Sequence, residues 1–193
     1  ILNSLSQTLL KLTTPGIPDF YQGSELWDLS LVDPDNRRPI DFVRRQAYLS
    51  EIQSSAAADL PGLLVELLAK PEDGRIKLFL IAQALKVRAK HLELFQQGSY
   101  HPLVVSGRFQ NHLIAFARGY QDRTLVTVVP RFCTSLVVVG EYPLGQIWQD
   151  TAIQLPAASS WQNLLTEPSL EADQTQASQI LSQFPVALLQ SIS

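Results

Sequence analysis

The chain is short of the residues that would tie it to an oxidising compartment, a membrane or a polyanion. It has no methionine and a single cysteine among 193 residues. Cys133 has no partner within the chain, so an internal disulfide is excluded. Lying in an apolar segment, it reads as a small buried hydrophobe rather than a reactive thiol. No apolar run approaches the roughly 20 residues that span a bilayer, and the N-terminus lacks a basic region ahead of a cleavable apolar core. A membrane partner is therefore not expected, and a cytoplasmic location is the simplest expectation. Charge is sparse as well. With 17% charged residues and a net charge of -3, there is no basic stripe of the kind that phosphate backbones require, so nucleic acid is not an expected partner.

Several catalytic signatures are missing too. There is no phosphate-cradling glycine loop and no Gly-x-Ser-x-Gly nucleophile elbow. His91, His101 and His112 are too far apart for a helical metal pair, and no cysteine cluster joins them, so neither a metal nor another cofactor is expected. The sequence opens Ile-Leu-Asn-Ser, which raises the expectation that a preceding portion lies outside it. What is present suits a globular protein: 46% hydrophobic residues over 193 positions allow one large domain or two small ones with a buried core.

Leu2, Leu5, Leu9, Leu10 and Leu12 recur at helical spacing between polar positions, predicting an amphipathic helix over Ile1 to Leu12. Pro15 and Gly16 stop it, and Ile17 to Tyr21 predicts a short strand. Asp41 is a candidate N-cap for a helix through Ile52. Ser54 to Leu60 reads as a small-residue connector, and Pro61 to Ala69 as a short apolar helix. Asp73 and Gly74 open a long helix through Phe95, closed at Gly98 by a left-handed residue. From Tyr100 onward the pattern turns to short strands: Pro102 to Val105, His112 to Arg118, Thr124 to Pro130, Ser135 to Val139, Ile147 to Leu155, Ser160 to Leu165 and Pro185 to Leu189. Glu167 to Ser178 reads as a long loop, and the spacing of the strands suits an antiparallel β-sandwich.

The chemistry concentrates between Pro15 and Phe42. Behind a strand-like run stand Tyr21, Gln22, Glu25, Trp27, Asp28, Asp33, Asp35, Asn36, Arg37 and Arg38. Planar carboxylate and guanidinium groups bond hydroxyl pairs, and aromatic faces cover the apolar side of a pyranose ring, so the mixture suits sugar. A calcium loop does not fit, because the ligand spacing and glycine are missing and the two arginines would repel a cation.

The run Gly-Ile-Pro-Asp-Phe-Tyr-Gln-Gly-Ser-Glu, Gly16 to Glu25, resembles the eighth barrel strand and following loop of the α-amylase family of glycoside hydrolases. Its continuation from Leu26 to Phe42 resembles one branch, the maltooligosyl trehalose synthases. Asp73-Gly74-Arg75-Ile76-Lys77, Leu94-Phe95-Gln96-Gln97-Gly98-Ser99-Tyr100 and Ala115-Phe116-Ala117-Arg118 extend the similarity over most of the chain. The resemblance implies an α+β fragment. Residues 1–54 would supply the last helix, strand and closing helix of a (β/α)8 barrel, 55–99 a helical segment, and 100–193 the C-terminal β-sandwich. The implied reaction is intramolecular transglycosylation, in which the reducing-end α-1,4 bond of a maltooligosaccharide becomes α-1,1. The implied partners are that substrate and a missing N-terminal barrel portion.

A retaining glycosidase needs two carboxyl groups about 5 Å apart. In the family these stand at the ends of earlier strands, in motifs that have no counterpart here, so no catalytic residue is nominated; Glu25 and Asp28 as a dyad would contradict the family pattern. The implied substrate-binding set is Tyr21, Gln22, Glu25, Trp27, Asp28, Asn36, Arg37 and Arg38. Beside that stand plainer readings. Glu25 pairs with an arginine, Trp27 packs as core, and Arg37 and Arg38 form a salt-bridge knot with Asp33 and Asp35 that stiffens the loop. The rival function is a non-catalytic carbohydrate-binding or structural module whose Trp148 and Trp161 stack on glucan, against their reading as sandwich core.

Overall fold

A computed structural model describes residues 1–30, 37–167, 169–171 and 176–192. The first helix, α1, spans Leu2–Thr13 and buries Leu5, Leu9 and Leu12, the face its leucine spacing predicts. Helix α2 spans Phe42–Ala69 and begins where expected, with the Asp41 carboxylate accepting the Arg44 N–H at 2.9 Å.

The expected connector, Ser54 to Leu60, is itself helical and lies within α2. Ala56, Ala57 and Ala58 are good helix formers, and the axis breaks only at Asp59, which has φ -156° and ψ 87°. Pro61 has no N–H to offer the preceding turn. The Asp59 carboxylate restarts the helix by accepting the Gly62 N–H at 3.0 Å. A short 3-10 turn over Pro71–Asp73 ends at Gly74, whose φ of 81° is left-handed, and α3 follows over Arg75–Lys90.

The long helix expected through Phe95 is broken at His91, and its remainder, α4, spans Leu92–Gln97. His91 is buried, with Nε2 3.2 Å from Gln190 Oε1, so a contact distant in sequence redirects the chain. Gly98 is not left-handed. Its φ is -66° and ψ 148°, and glycine is needed there because a Cβ would lie 2.2 Å from the Leu94 carbonyl oxygen.

The rest of the chain is mainly β. The strands are β1 (Ser99–Pro102), β2 (Val105–Ser106), β3 (Leu113–Tyr120), β4 (Arg123–Pro130), β5 (Ala152–Ile153), β6 (Ser160–Asn163), β7 (Ser169–Glu171) and β8 (Ala187–Ile192). One six-stranded sheet has the order β1-β3-β4-β8-β6-β7 with every pairing antiparallel, and β2 and β5 form a separate ribbon. The expected loop carries β7 and a short helix, α5, over Ala177–Ile180.

Alternation along the strands divides the core. Leu125, Val129 and Leu188 pack with the helices, whereas Val126, Val128, Ala187 and Leu189 pack with Trp148, Ile153 and Trp161. The expected antiparallel architecture is present. In place of two comparable sheets, however, one sheet has helices on one face and the β2-β5 ribbon with 3-10 turns on the other. Ser135 to Val139 forms no strand, and Val138 and Val139 are exposed. No helix is long and apolar enough to cross a membrane among the described residues.

Candidate sugar-facing loop

The segment leaving α1 carries no strand at Ile17 to Tyr21; Ile17 is 98% exposed. A strand needs a hydrogen-bonding neighbour, and no described segment lies alongside as one. Side chains direct its path instead. Lys11 Nζ donates to the Asp19 carbonyl at 3.0 Å and sits 3.7 Å over the Phe20 ring.

The next turn, Tyr21 to Asp28, is fastened from behind. Ser24 donates to the Tyr21 carbonyl through its hydroxyl at 2.7 Å and its N–H at 3.1 Å. Glu25 Oε2 accepts from the Gly23 N–H and from Arg45 Nε, each at 3.0 Å, while Arg45 Nη2 donates to the Gly23 carbonyl at 2.8 Å. Arg45 on α2 thereby fixes both the carboxylate and the backbone of the turn. Gly23 has φ 95°, a left-handed conformation that favours glycine; an added Cβ would meet only the tip of Ile40, 2.7 Å away.

Trp27 donates its indole N–H to the Pro71 carbonyl at 2.6 Å, with Lys77 Nζ 5.7 Å from its ring centre. Gly74 lets the helical segment come this close, since a Cβ would sit 3.1 Å from the Trp27 backbone nitrogen. Lys77 also donates to the Leu26 carbonyl at 3.3 Å. Burial pushes its ammonium pKa down, with the Lys11 charge adding to that and Asp28 and Glu25 opposing it. Asp28 is exposed; hydrogen bonds from the Ser30 hydroxyl and backbone N–H hold its carboxyl below the usual carboxylate range.

The turn thus has two sides. Glu25 and Trp27 have their polar groups committed to the frame, while Tyr21, Gln22 and Asp28 are exposed. Arg37 and Arg38 are exposed and engaged with partners. Asn36, together with Asp33 and Asp35 of the expected knot, lies outside the described residues. Arg45 and Lys77 were not singled out in the sequence as parts of the site. The Asp73-Gly74-Arg75-Ile76-Lys77 motif was the signal that could have pointed to Lys77, because its glycine is what permits the approach to Trp27. Trp148 and Trp161 are fully buried, so neither offers a face to glucan. Among the described residues no group of three or more histidine, cysteine or carboxylate side chains could hold a metal ion.

No family model matches the chain. It is 37% identical over 187 residues to a Mycobacterium tuberculosis protein that carries the name maltooligosyl trehalose synthase, a match covering 97% of this chain and 20% of that protein. Its fold is similar to the solved structure of a mutant maltooligosyltrehalose synthase from Arthrobacter ramosus, with a TM-score of 0.77, 32% identity, and coverage of 99% of this chain and 22% of that one. A crystal structure of a maltooligosyl trehalose synthase aligns with a TM-score of 0.68 and 26% identity over 99% of this chain and 22% of the other. An Anoxybacillus α-amylase shares the fold, with a TM-score of 0.58 and 16% identity over 98% of this chain and 32% of that one. The chain spans about a fifth of the length of the relatives it matches. In sequence and in fold the chain is similar to the maltooligosyl trehalose synthases over nearly its whole length, as the counterpart of a C-terminal portion of those proteins.

Proposed function

We propose that this chain works as the C-terminal portion of an enzyme that converts the reducing-end α-1,4 bond of maltooligosaccharides into an α-1,1 bond by intramolecular transglycosylation, an isomerisation overall. Residues 1–54 close a (β/α)8 barrel in this reading, 55–99 form a helical segment, and 100–193 form the sheet domain. The enzyme resides in the cytoplasm. The observation that carries the proposal is the match to the M. tuberculosis protein over nearly the whole chain, which includes the framed turn at Tyr21 to Asp28.

The exposed groups of Tyr21, Gln22 and Asp28 meet sugar. Glu25 and Trp27 serve that contact from the frame of the turn, and Asn36, Arg37 and Arg38 complete the substrate-facing set. The catalytic carboxylates belong to the rest of the polypeptide, so the chain alone is inactive. An exposed apolar groove of about 810 Å³ lined by Ile1, Phe132, Val138 and Val139 fits this reading, since a larger polypeptide would cover such a surface.

During the reaction the glycosyl intermediate must be kept from water while the released glucose turns over. A rigid polar turn beside the cleavage point suits that task. The test is to incubate maltopentaose with the polypeptide extended to its relatives' length and, separately, with this chain. Loss of the reducing end without release of glucose is expected from the former only, read by NMR of the anomeric protons. Turnover by the isolated chain, or hydrolysis as the sole outcome for the long form, would overturn the proposal.

A further inference from the structure

We propose that Arg88 on α3 and Arg118 on β3 are positioning residues that clamp the exit of α1 and so hold the sugar-facing turn in register; the proposal rests on the functional reading above. Arg118 is buried, yet no carboxylate pairs with it among the described residues. It donates instead to main-chain carbonyls: Nε to Ser99 at 2.9 Å, Nη1 to Thr13 at 3.2 Å, and Nη2 to Leu94, Phe95 and Gly98 at 3.1 Å each. Thr13 is the last residue of α1, and Leu94 and Phe95 lie in α4, just ahead of Gly98. The cation therefore sits where two helix C-termini converge, and their negative dipole ends offset its charge.

Arg88 acts on the same exit. It donates to the Leu12 carbonyl at 2.6 Å and the Gly16 carbonyl at 3.4 Å, and lies 4.5 Å over the Phe95 ring. Burial disfavours both charges, and the Arg88 charge adds to the cost at Arg118, so the pair is held by what it binds rather than by mutual attraction.

The exit needs such a clamp because the chain from Thr14 to Gln22 is irregular and largely exposed, with no strand pairing. Its far end is fixed by Arg45 and Glu25. Among the described residues its near end is held by helix α1 and these two arginines, with Lys11 between and Phe20 packed against the helical core. Freeing the near end would let Tyr21 and Gln22 shift while Trp27 and Leu26 stay seated on Pro71 and Lys77. A shift of that kind lowers the efficiency of a step that depends on placement and leaves the global fold intact.

The experiment uses the full-length polypeptide with Arg88→Ala, Arg88→Lys and Arg118→Lys. Maltopentaose conversion is followed with the ratio of glucose release to α-1,1 product, and hydrogen exchange is recorded for residues 14–22 of each protein. For Arg88→Ala we expect at least a tenfold rise in that ratio, faster exchange over 14–22, and unchanged exchange in β3 and β4. Arg88→Lys should restore part of both. A ratio and exchange equal to wild type in Arg88→Ala would overturn the clamp, whatever Arg118→Lys does. A wild-type protein that forms no α-1,1 product would overturn the functional reading instead, and exchange over 14–22 would still decide whether the arginines hold the segment.

Discussion

Two buried arginines solve the same problem in different ways. Arg75, at the start of α3, meets three carboxylates: Nε with Asp73 at 2.7 Å, Nη1 with Glu51 at 2.8 Å and Nη2 with Glu66 at 2.7 Å. Arg118 meets only carbonyls. The acids around Arg75 keep contact with water, Glu51 being 51% and Glu66 39% exposed, so that cluster is a rim. The Arg118 contacts to Thr13, Leu94 and Phe95 are sealed among α1, α4 and the sheet, while those to Gly98 and Ser99 are partly open. Carboxylates that lose their arginine can be rehydrated, whereas buried carbonyls that lose a donor cannot. The Arg75 region is held by charge, and the Arg118 region by geometry.

The sharpest way to break this contrast is Arg118→Met. With two or three of the carbonyls left without a donor, at about 1–3 kcal/mol each, the loss should reach about 3–5 kcal/mol in chemical denaturation. Lysine should recover only part of it, because one ammonium cannot serve both helix ends. Arg75→Met comes next, at about 1–2 kcal/mol, since its partners turn to solvent. It carries a second signature in pH. Arg75 hydrogen bonds and charge hold the Glu66 carboxyl below its ordinary value of 4.5. A folded pKa below the unfolded one gives stability that is present above that value and is lost as pH falls through the folded pKa. The wild type should therefore be the more acid-sensitive of the two, and Arg75→Met should flatten the acid limb. An Arg118→Met protein no weaker than Arg75→Met would end the comparison.

The contrast also explains what could be read in the sequence. Helix α1 announces itself through Leu5, Leu9 and Leu12, and Asp41 through its place ahead of an apolar run. The turn at Tyr21 to Asp28 was legible as a motif. That Glu25 pairs with an arginine and Trp27 packs inward was legible too, but the partners were not, because Arg45 lies 20 positions from Glu25, and Trp27 bonds a carbonyl 44 positions away. Carbonyl partners have no letter in a sequence, so nothing marked Arg118 as a clamp. The Ser135 to Val139 run has β-branched residues and no neighbouring strand to use them, and Val139 is fully exposed as a result. The break at His91 was hidden for the same reason, since its cause, Gln190, comes from β8.

His91 tests whether the sealed region extends across the helix junction. Burial, the largest cause, pushes its imidazole below the ordinary value of 6.5, opposed by the hydrogen bond to Gln190. The unfolded chain then binds the proton more readily than the folded one. Stability should fall as pH drops below about 6.5, by at most about 1.4 kcal/mol per pH unit for one proton, until the folded pKa is passed. His91→Gln should remove that slope between pH 6.5 and 5 while leaving the Glu66 limb in place. A slope unchanged by the substitution would put the titrating group elsewhere.

The smallest effect belongs to the outermost arm of the rim, Glu51→Gln. Its oxygen lies 2.8 Å from Arg75 Nη1, nearly as close as the 2.7 Å bonds to Asp73 and Glu66, yet half the side chain is in water. If distance alone set the strength, this variant would cost as much as losing Asp73. If hydration sets it, the cost is about 0.3 kcal/mol and vanishes in 1 M salt, because exposed pairs are screened while sealed ones are not. Denaturation in low and high salt separates the two. A salt-insensitive loss above about 1 kcal/mol would mean that the rim is closed, and that the two arginines differ only in the chemistry of their partners.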